Sequence, residues 1–129
     1  MYLVKTYLDR SNIHGIGVFA GEDIEAGKLI WQFQENFDRS WNQEEFQSLP
    51  EIAKAYVLRR GYVLNGSYCL GVDDDPFTNH SETPNMGEKG SNFTHFALKD
   101  IKKGEEITCD YRTFDNVWRE KLNAATNTK

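Results

Sequence analysis

Over Tyr2, Val4, Thr6 and Leu8 the chain mostly alternates apolar or β-branched positions with longer polar ones, the period of two that predicts a strand. Ser11-Asn12-Ile13-His14-Gly15-Ile16-Gly17 then gathers turn-formers and two glycines before Val18-Phe19-Ala20, a second strand. Glu25-Ala26-Gly27 is a further turn, and Lys28 to Phe33 a third strand. The period changes at Asn42. Asn42-Gln43-Glu44-Glu45 has the form of a capped helix start, and Phe46, Leu49, Ile52, Ala53, Tyr56 and Val57 recur at spacings of three and four, which predicts a helix that Pro50 breaks and restarts. Tyr62-Val63-Leu64 and Tyr68-Cys69-Leu70 flank Asn65-Gly66-Ser67, the turn chemistry of a hairpin. From Asp73 to Asn92 periodicity disappears, and an irregular stretch of that length in a small domain points to function. Phe93 to Ala97 and Ile107 to Cys109 are short strands again, and Val117 to Leu122 predicts a terminal helix fraying through residues 123–129. The shape Asp-Ile-x-x-Gly occurs twice, at Asp23 to Gly27 and Asp100 to Gly104, and both copies read as turns between strands.

The pattern is mainly β with few short helices, and 129 residues are the size of one domain, here 1–122 with a frayed tail at 123–129. No apolar run reaches the roughly 18 residues of a membrane helix, and the first ten lack the basic start and apolar middle of a signal peptide. A soluble, intracellular protein is the expectation. Twenty acidic against fifteen basic residues give a net charge of −5, which argues against direct nucleic-acid binding and favours basic partners. Two cysteines are too few for a disulfide scaffold or a four-thiolate zinc site, so no metal is expected.

Single residues say little by themselves. Gly15-x-Gly17 permits close backbone approach to a ligand, or is simply a pair of turn glycines. Asp73-Asp74-Asp75 lacks the alternating ligands of a calcium loop and reads as a solvated acidic turn. Ser81 beside His80 invites a nucleophile reading, but sequence neighbours rarely face each other and no Gly-x-Ser-x-Gly elbow surrounds it. Asn79, His80 and Asn85 can equally satisfy backbone groups in the loop, and Cys109 reads as a small buried residue.

In order, three motifs resemble the SET-domain protein lysine methyltransferases. They are Ser11-x-Ile13-x-Gly15-x-Gly17-Val18-Phe19-Ala20, Phe77-x-Asn79-His80-Ser81-x-x-Pro84-Asn85, and Ala97-x-x-Asp100-Ile101-x-x-Gly104-Glu105-Glu106-Ile107-x-x-Asp110-Tyr111. The resemblance implies the SET-domain β-clip fold: several small sheets, few short helices, and a pseudoknot that threads the Asn-His-Ser segment beneath a later crossing of the chain. It implies methyl transfer from S-adenosylmethionine to the ε-amine of a lysine in a protein substrate, a histone or other basic tail, with S-adenosylhomocysteine as product. Gly15, Ile16, Gly17, Asn79 and His80 would hold the cofactor, and Phe114 and Trp118 would pack on its adenine or on the lysine channel. Tyr111 corresponds to the family's active-site tyrosine and would orient the amine. Phe33, Tyr68 and Phe77 are candidates for the aromatic lysine channel.

The sequence departs from the family pattern at three places. Pro76 and Glu82 stand where many members have arginine and cysteine, and Cys109 replaces an aromatic that helps limit the number of methyl groups added. Flanking cysteine-rich modules are absent, as in minimal bacterial and viral members, some of which pair, so a homodimer is an open option. The competing expectation is a non-catalytic module of the same fold that binds basic segments.

Overall fold

The computed structural model describes residues 1–90, 94–119, 121 and 122. Among the described residues ten strands form three small sheets, and two short helices run between strands of the third. The first strand, β1 (Thr6–Arg10), pairs antiparallel with β2 (Ile16–Ala20), turning at the segment where Ser11 and Gly15 close a backbone hydrogen bond of 2.8 Å. The strand thus begins later than the alternation suggests. Tyr2 lies apart, bridging to Trp31, because its N–H is taken by the carboxylate of Asp73 at 2.8 Å. After β3 (Leu29–Gln32) and β4 (Arg39–Trp41) comes the predicted broken helix, α1 (Gln43–Gln47) and α2 (Glu51–Arg60), with a reciprocal capping box between Asn42 and Glu45. Ser48 caps the end of the first, and Pro50 starts the second.

The hairpin β5 (Tyr62–Leu64) and β6 (Ser67–Leu70) turns at Asn65 and Gly66, both at positive φ (51° and 81°), as a two-residue turn of this hand requires. Two-residue strands β7 (Asn79–His80) and β8 (Met86–Gly87) interrupt the irregular segment, followed by β9 (Thr94–Ala97) and β10 (Glu106–Cys109). The predicted strand residue Phe93 and the predicted fraying tail 123–129 lie outside the described residues, while Trp118, Arg119, Lys121 and Leu122 are helical as expected.

The sheet orders are β1-β2-β10-β7, β3-β9-β8 and β4-β6-β5. Within the first, β10 runs antiparallel to β2 but parallel to β7, so the loop strand lies alongside the last strand of the chain. The two Asp-Ile-x-x-Gly turns bind each other: Ile24 and Ile101 exchange backbone hydrogen bonds of 2.8 Å in both directions. Their buried side chains join Val18, Ile30, Met86 and Ile107 in a core shared by the sheets. At roughly 1.5–3 kcal/mol for each large apolar side chain, this core is what holds the small sheets together. Among the described residues no helix is long and apolar enough to cross a membrane.

Candidate functional site

The acidic triplet is a fastener for the start of the chain, which corrects its reading as a solvated turn. Asp73 accepts from the N–H groups of Tyr2 and Asp75, and Asp74 accepts from the Thr6 hydroxyl at 2.7 Å. Asp75 lies against a cleft, and burial pushes its carboxyl up to about 7. The 3₁₀ turn Asp75–Phe77, with Pro76 in its first turn, delivers the chain to Thr78 and β7.

Asn79 ties three parts of the site together. Its Nδ2 donates to the carbonyls of His14 (3.0 Å) and Ile16 (3.4 Å), to the Ser11 hydroxyl (3.1 Å) and to the Glu106 carboxylate (2.9 Å). The Gly15 turn and the loop at residue 79 are therefore adjacent. Gly15 has φ +50°, a conformation that favours glycine, and a Cβ on Gly17 would press on the Glu106 carboxylate and displace it. Ile16 is half exposed beside this cluster. The Asn79 Oδ1 accepts no hydrogen bond among the described residues.

Asn85 performs the structural work expected of it. It donates to the Glu106 carbonyl (2.8 Å) and accepts from Thr108 N–H (2.9 Å), while its own carbonyl accepts from Leu98, so it joins β9 to β10. Ser81 is occupied locally, accepting from Thr83 N–H at 3.0 Å, and the His80 Nδ1 accepts from the Tyr111 N–H at 3.1 Å. Ser81 and His80 thus form no nucleophile pair.

Tyr111 opens a 3₁₀ turn, Tyr111–Thr113, capped by the Asp110 carboxylate. Hydrogen bonding to Arg112 holds that carboxylate below its usual range. Arg112 also reaches Glu82 at 3.1 Å, which gives the unusual glutamate after Asn-His-Ser a partner. The Tyr111 ring packs 5.2 Å from His80 and 6.3 Å from Phe114, and its hydroxyl donates to the Thr78 carbonyl. Burial, reinforced by the Cys109 thiol and Asp75, raises the phenol well above its ordinary pKa.

A small cleft opens beside this phenol. Trp31, Tyr62, His95 and Phe114 form its aromatic wall, with ring centroids 5.2–6.0 Å apart from Trp31 through His95 and Tyr62 to Phe114. Among the described residues four buried polar atoms on that wall have no hydrogen-bond partner: the Trp31 Nε1, the Tyr62 hydroxyl oxygen and both His95 nitrogens. Burial lowers His95 to about 4, so its imidazole is neutral. Cys109 lines the cleft with a thiol that burial pushes up, which suits the small buried residue expected there.

Of the aromatics singled out from the sequence, Tyr111 and Phe114 line this cleft and the others lie elsewhere. Tyr68 stacks on Phe46 at 3.8 Å, covering α1. Phe77 sits under the Arg60 guanidinium at 4.7 Å, and Phe33 packs against the core. Trp118 lies half-buried under Arg119 at 5.1 Å. Sequence reasoning missed Trp31, Tyr62 and His95, which look like ordinary strand residues. A histidine placed on the inward face of an apolar strand is the one signal that could have drawn attention to the wall.

The SET domain family model matches residues 15–112. The histone-lysine N-methyltransferase trithorax of Drosophila virilis is 32% identical over 85% of this chain, and the H3 lysine-4-specific histone-lysine N-methyltransferase of Aspergillus oryzae is 28% identical over 84%. The chain spans only 3% and 10% of those two relatives. Among solved structures, Chaetomium thermophilum Polycomb Repressive Complex 2 superposes with a TM-score of 0.64 over 93% of this chain and 17% of that one, at 22% identity. A structure of the same complex bound to S-adenosylmethionine gives 0.63 over 94% of this chain and 17% of that one, at 23% identity. The mainly β architecture of several small sheets is that of these neighbours, and with the family model covering most of its length the chain belongs to the SET-domain family.

Proposed function

We propose that this protein transfers a methyl group from S-adenosylmethionine to the ε-amine of a lysine in a protein substrate. The observation that carries the reading is Tyr111: a phenol whose proton is committed to the Thr78 carbonyl stands at a cleft walled by aromatic rings. Asn79, in the strand just after Thr78, fastens the Gly15 turn.

The residues present fit the cofactor. The Asn79 Oδ1 is an acceptor with no internal donor among the described residues, suited to an ammonium group, and the half-exposed Ile16 lies next to it. Gly15, Ile16, Gly17, Asn79 and His80 are the residues we assign to holding it. When bound, S-adenosylmethionine supplies a methyl group already activated by its sulfonium.

The chain's own contribution is alignment and electrostatics. With its proton donated to Thr78, the Tyr111 oxygen acts as an acceptor, and an amine N–H donated to it fixes where the nitrogen lone pair points. Its raised pKa keeps the phenol protonated at neutral pH, which favours an orienting role over that of a general base. The wall of Trp31, Tyr62 and Phe114 disfavours an ammonium ion and so promotes the neutral, nucleophilic amine. Phe114 is thus the C-terminal aromatic that we place at the lysine site.

The net charge of −5 supports a lysine-rich segment, such as a histone tail, as substrate. Incubation with labelled S-adenosylmethionine and basic peptides or a native lysate tests the reading. We expect label on lysine. Absence of transfer to any protein, with cofactor binding intact by calorimetry, would sink it and leave a binding module of the same fold.

A further inference from the structure

Two arginines at the end of α2 stand at the rim of the cleft and pair with no acid. Arg59 is exposed and Arg60 half-buried, and both line the cleft. Among the described residues neither meets a carboxylate at ion-pair distance or uses a guanidinium N–H in a hydrogen bond. Each lies on an aromatic ring instead, Arg59 5.7 Å from the Tyr56 centroid and Arg60 4.7 Å from that of Phe77. The rings hold the two cations in place, and a position in the last turn suits the helix dipole, but neither engages their donors. Burial dominates at the Tyr111 phenol, and the Arg60 charge is near enough to oppose it.

The third cation of the cleft, Lys121, is engaged by the Asp115 carboxylate and the Gly61 carbonyl. Asp75 is the one acid among the lining residues described, and burial pushes its carboxyl up to about 7, so at neutral pH it cancels at most part of one charge. The rim is therefore positive, although the whole chain carries −5.

We propose that the lysine taken by this cleft has an acidic residue close to it in its own sequence, and that Arg59 and Arg60 select it. The inference rests on the cleft being the lysine site and deepens that reading. A lysine arriving on a purely basic segment meets like charge at both arginines. A glutamate or aspartate within a few residues supplies the carboxylate that their N–H forks fit. The same cations disfavour an ammonium inside the cleft and so promote the neutral amine, whose lone pair attacks the methyl group. Whole-chain charge steers the encounter, and the rim sets which segment stays. This narrows the lysine-rich substrate to one of mixed charge.

The test uses the intact protein, labelled S-adenosylmethionine and a peptide library with a fixed central lysine and every residue offered at the two positions on each side. Glutamate or aspartate should be enriched about fivefold over glutamine at one or more of those positions, the effect of one partly exposed ion pair, and the enrichment should fade in about 1 M salt. With Arg59→Gln and Arg60→Gln combined, it should fall below about twofold. The preference is a ratio between peptides within one protein, so a lower folded fraction does not imitate its loss. No acidic preference in the unsubstituted protein, or one that survives both substitutions, would overturn the inference and leave the methyltransferase standing. Transfer to no library peptide and no lysate protein, with S-adenosylmethionine bound, would strike the methyltransferase reading first and the acidic preference with it.

Discussion

Tyr111→Phe removes one oxygen and leaves the ring packed between His80 and Phe114, so it isolates what the hydroxyl does. Among the described residues that hydroxyl makes a single hydrogen bond, to the Thr78 carbonyl. Its loss should cost about 1 kcal/mol of stability, the net worth of one such bond, rising toward about 3 kcal/mol if the buried carbonyl finds no water. The catalytic effect should be larger. A preorganised group aimed at the reacting centre typically contributes 10²–10³ in kcat, or about 2.7–4 kcal/mol, and Tyr111 has the rigidity that this requires. Cofactor affinity should hardly change, since the contacts assigned to the cofactor lie at Asn79 and the Gly15 turn. The assay is initial-rate transfer of labelled methyl to a saturating peptide, beside calorimetric titration of S-adenosylmethionine and a urea melt of each protein. A kcat within about threefold of the original, or parallel losses in turnover and cofactor binding, would refute the orienting role.

Gly17→Ala should displace the Glu106 carboxylate and break its bonds to Ser11 and Asn79, costing about 1–3 kcal/mol in a urea melt and weakening cofactor binding. Wild-type stability and affinity together would show that the cluster tolerates a side chain. His95, lowered from 6.5 to about 4 by burial, stabilises the fold fully above pH 6.5, and up to about 3 kcal/mol of this is lost as pH falls toward 4. Asp75, raised from 3.8 to about 7, acts in reverse, its contribution being present below 3.8 and lost as pH rises through 7. The two offset each other between pH 4 and 6.5, so His95→Leu should convert a nearly flat stability profile into one that falls with rising pH. Equal slopes for both proteins across a series of urea melts would contradict this.

Much of the fold is legible in local sequence, and the reason differs between elements. The capping box at Asn42 and the Asn65-Gly66 turn are set by chemistry within a few residues, so the pattern predicts them correctly. The start of β1 is misplaced because Tyr2 answers to Asp73, 71 residues away. The acidic triplet is misread for the same reason, since its partners are remote along the chain. Motif spacing marks Tyr111, Asn79 and the two glycines, and the fold sets Tyr111 at the cleft and Asn79 against the glycine turn. The wall of Trp31, Tyr62 and His95 is hidden because β3, β5 and β9 meet there only through tertiary packing. Lys121 gives no signal at all, being one more charged residue in a polar helix until Asp115 and Gly61 are brought beside it.

The parallel partnership of β7 and β10 carries a consequence for how the protein is made. Asn79 emerges from the ribosome well before Glu106 and Tyr111, and until those later residues arrive its loop has neither its neighbouring strand nor the acid that holds it. Both halves of the proposed site therefore mature in one late step of synthesis. A chain cut short before residue 106 would lose more than its tyrosine, because the loop at Asn79 would also have nothing to lie against.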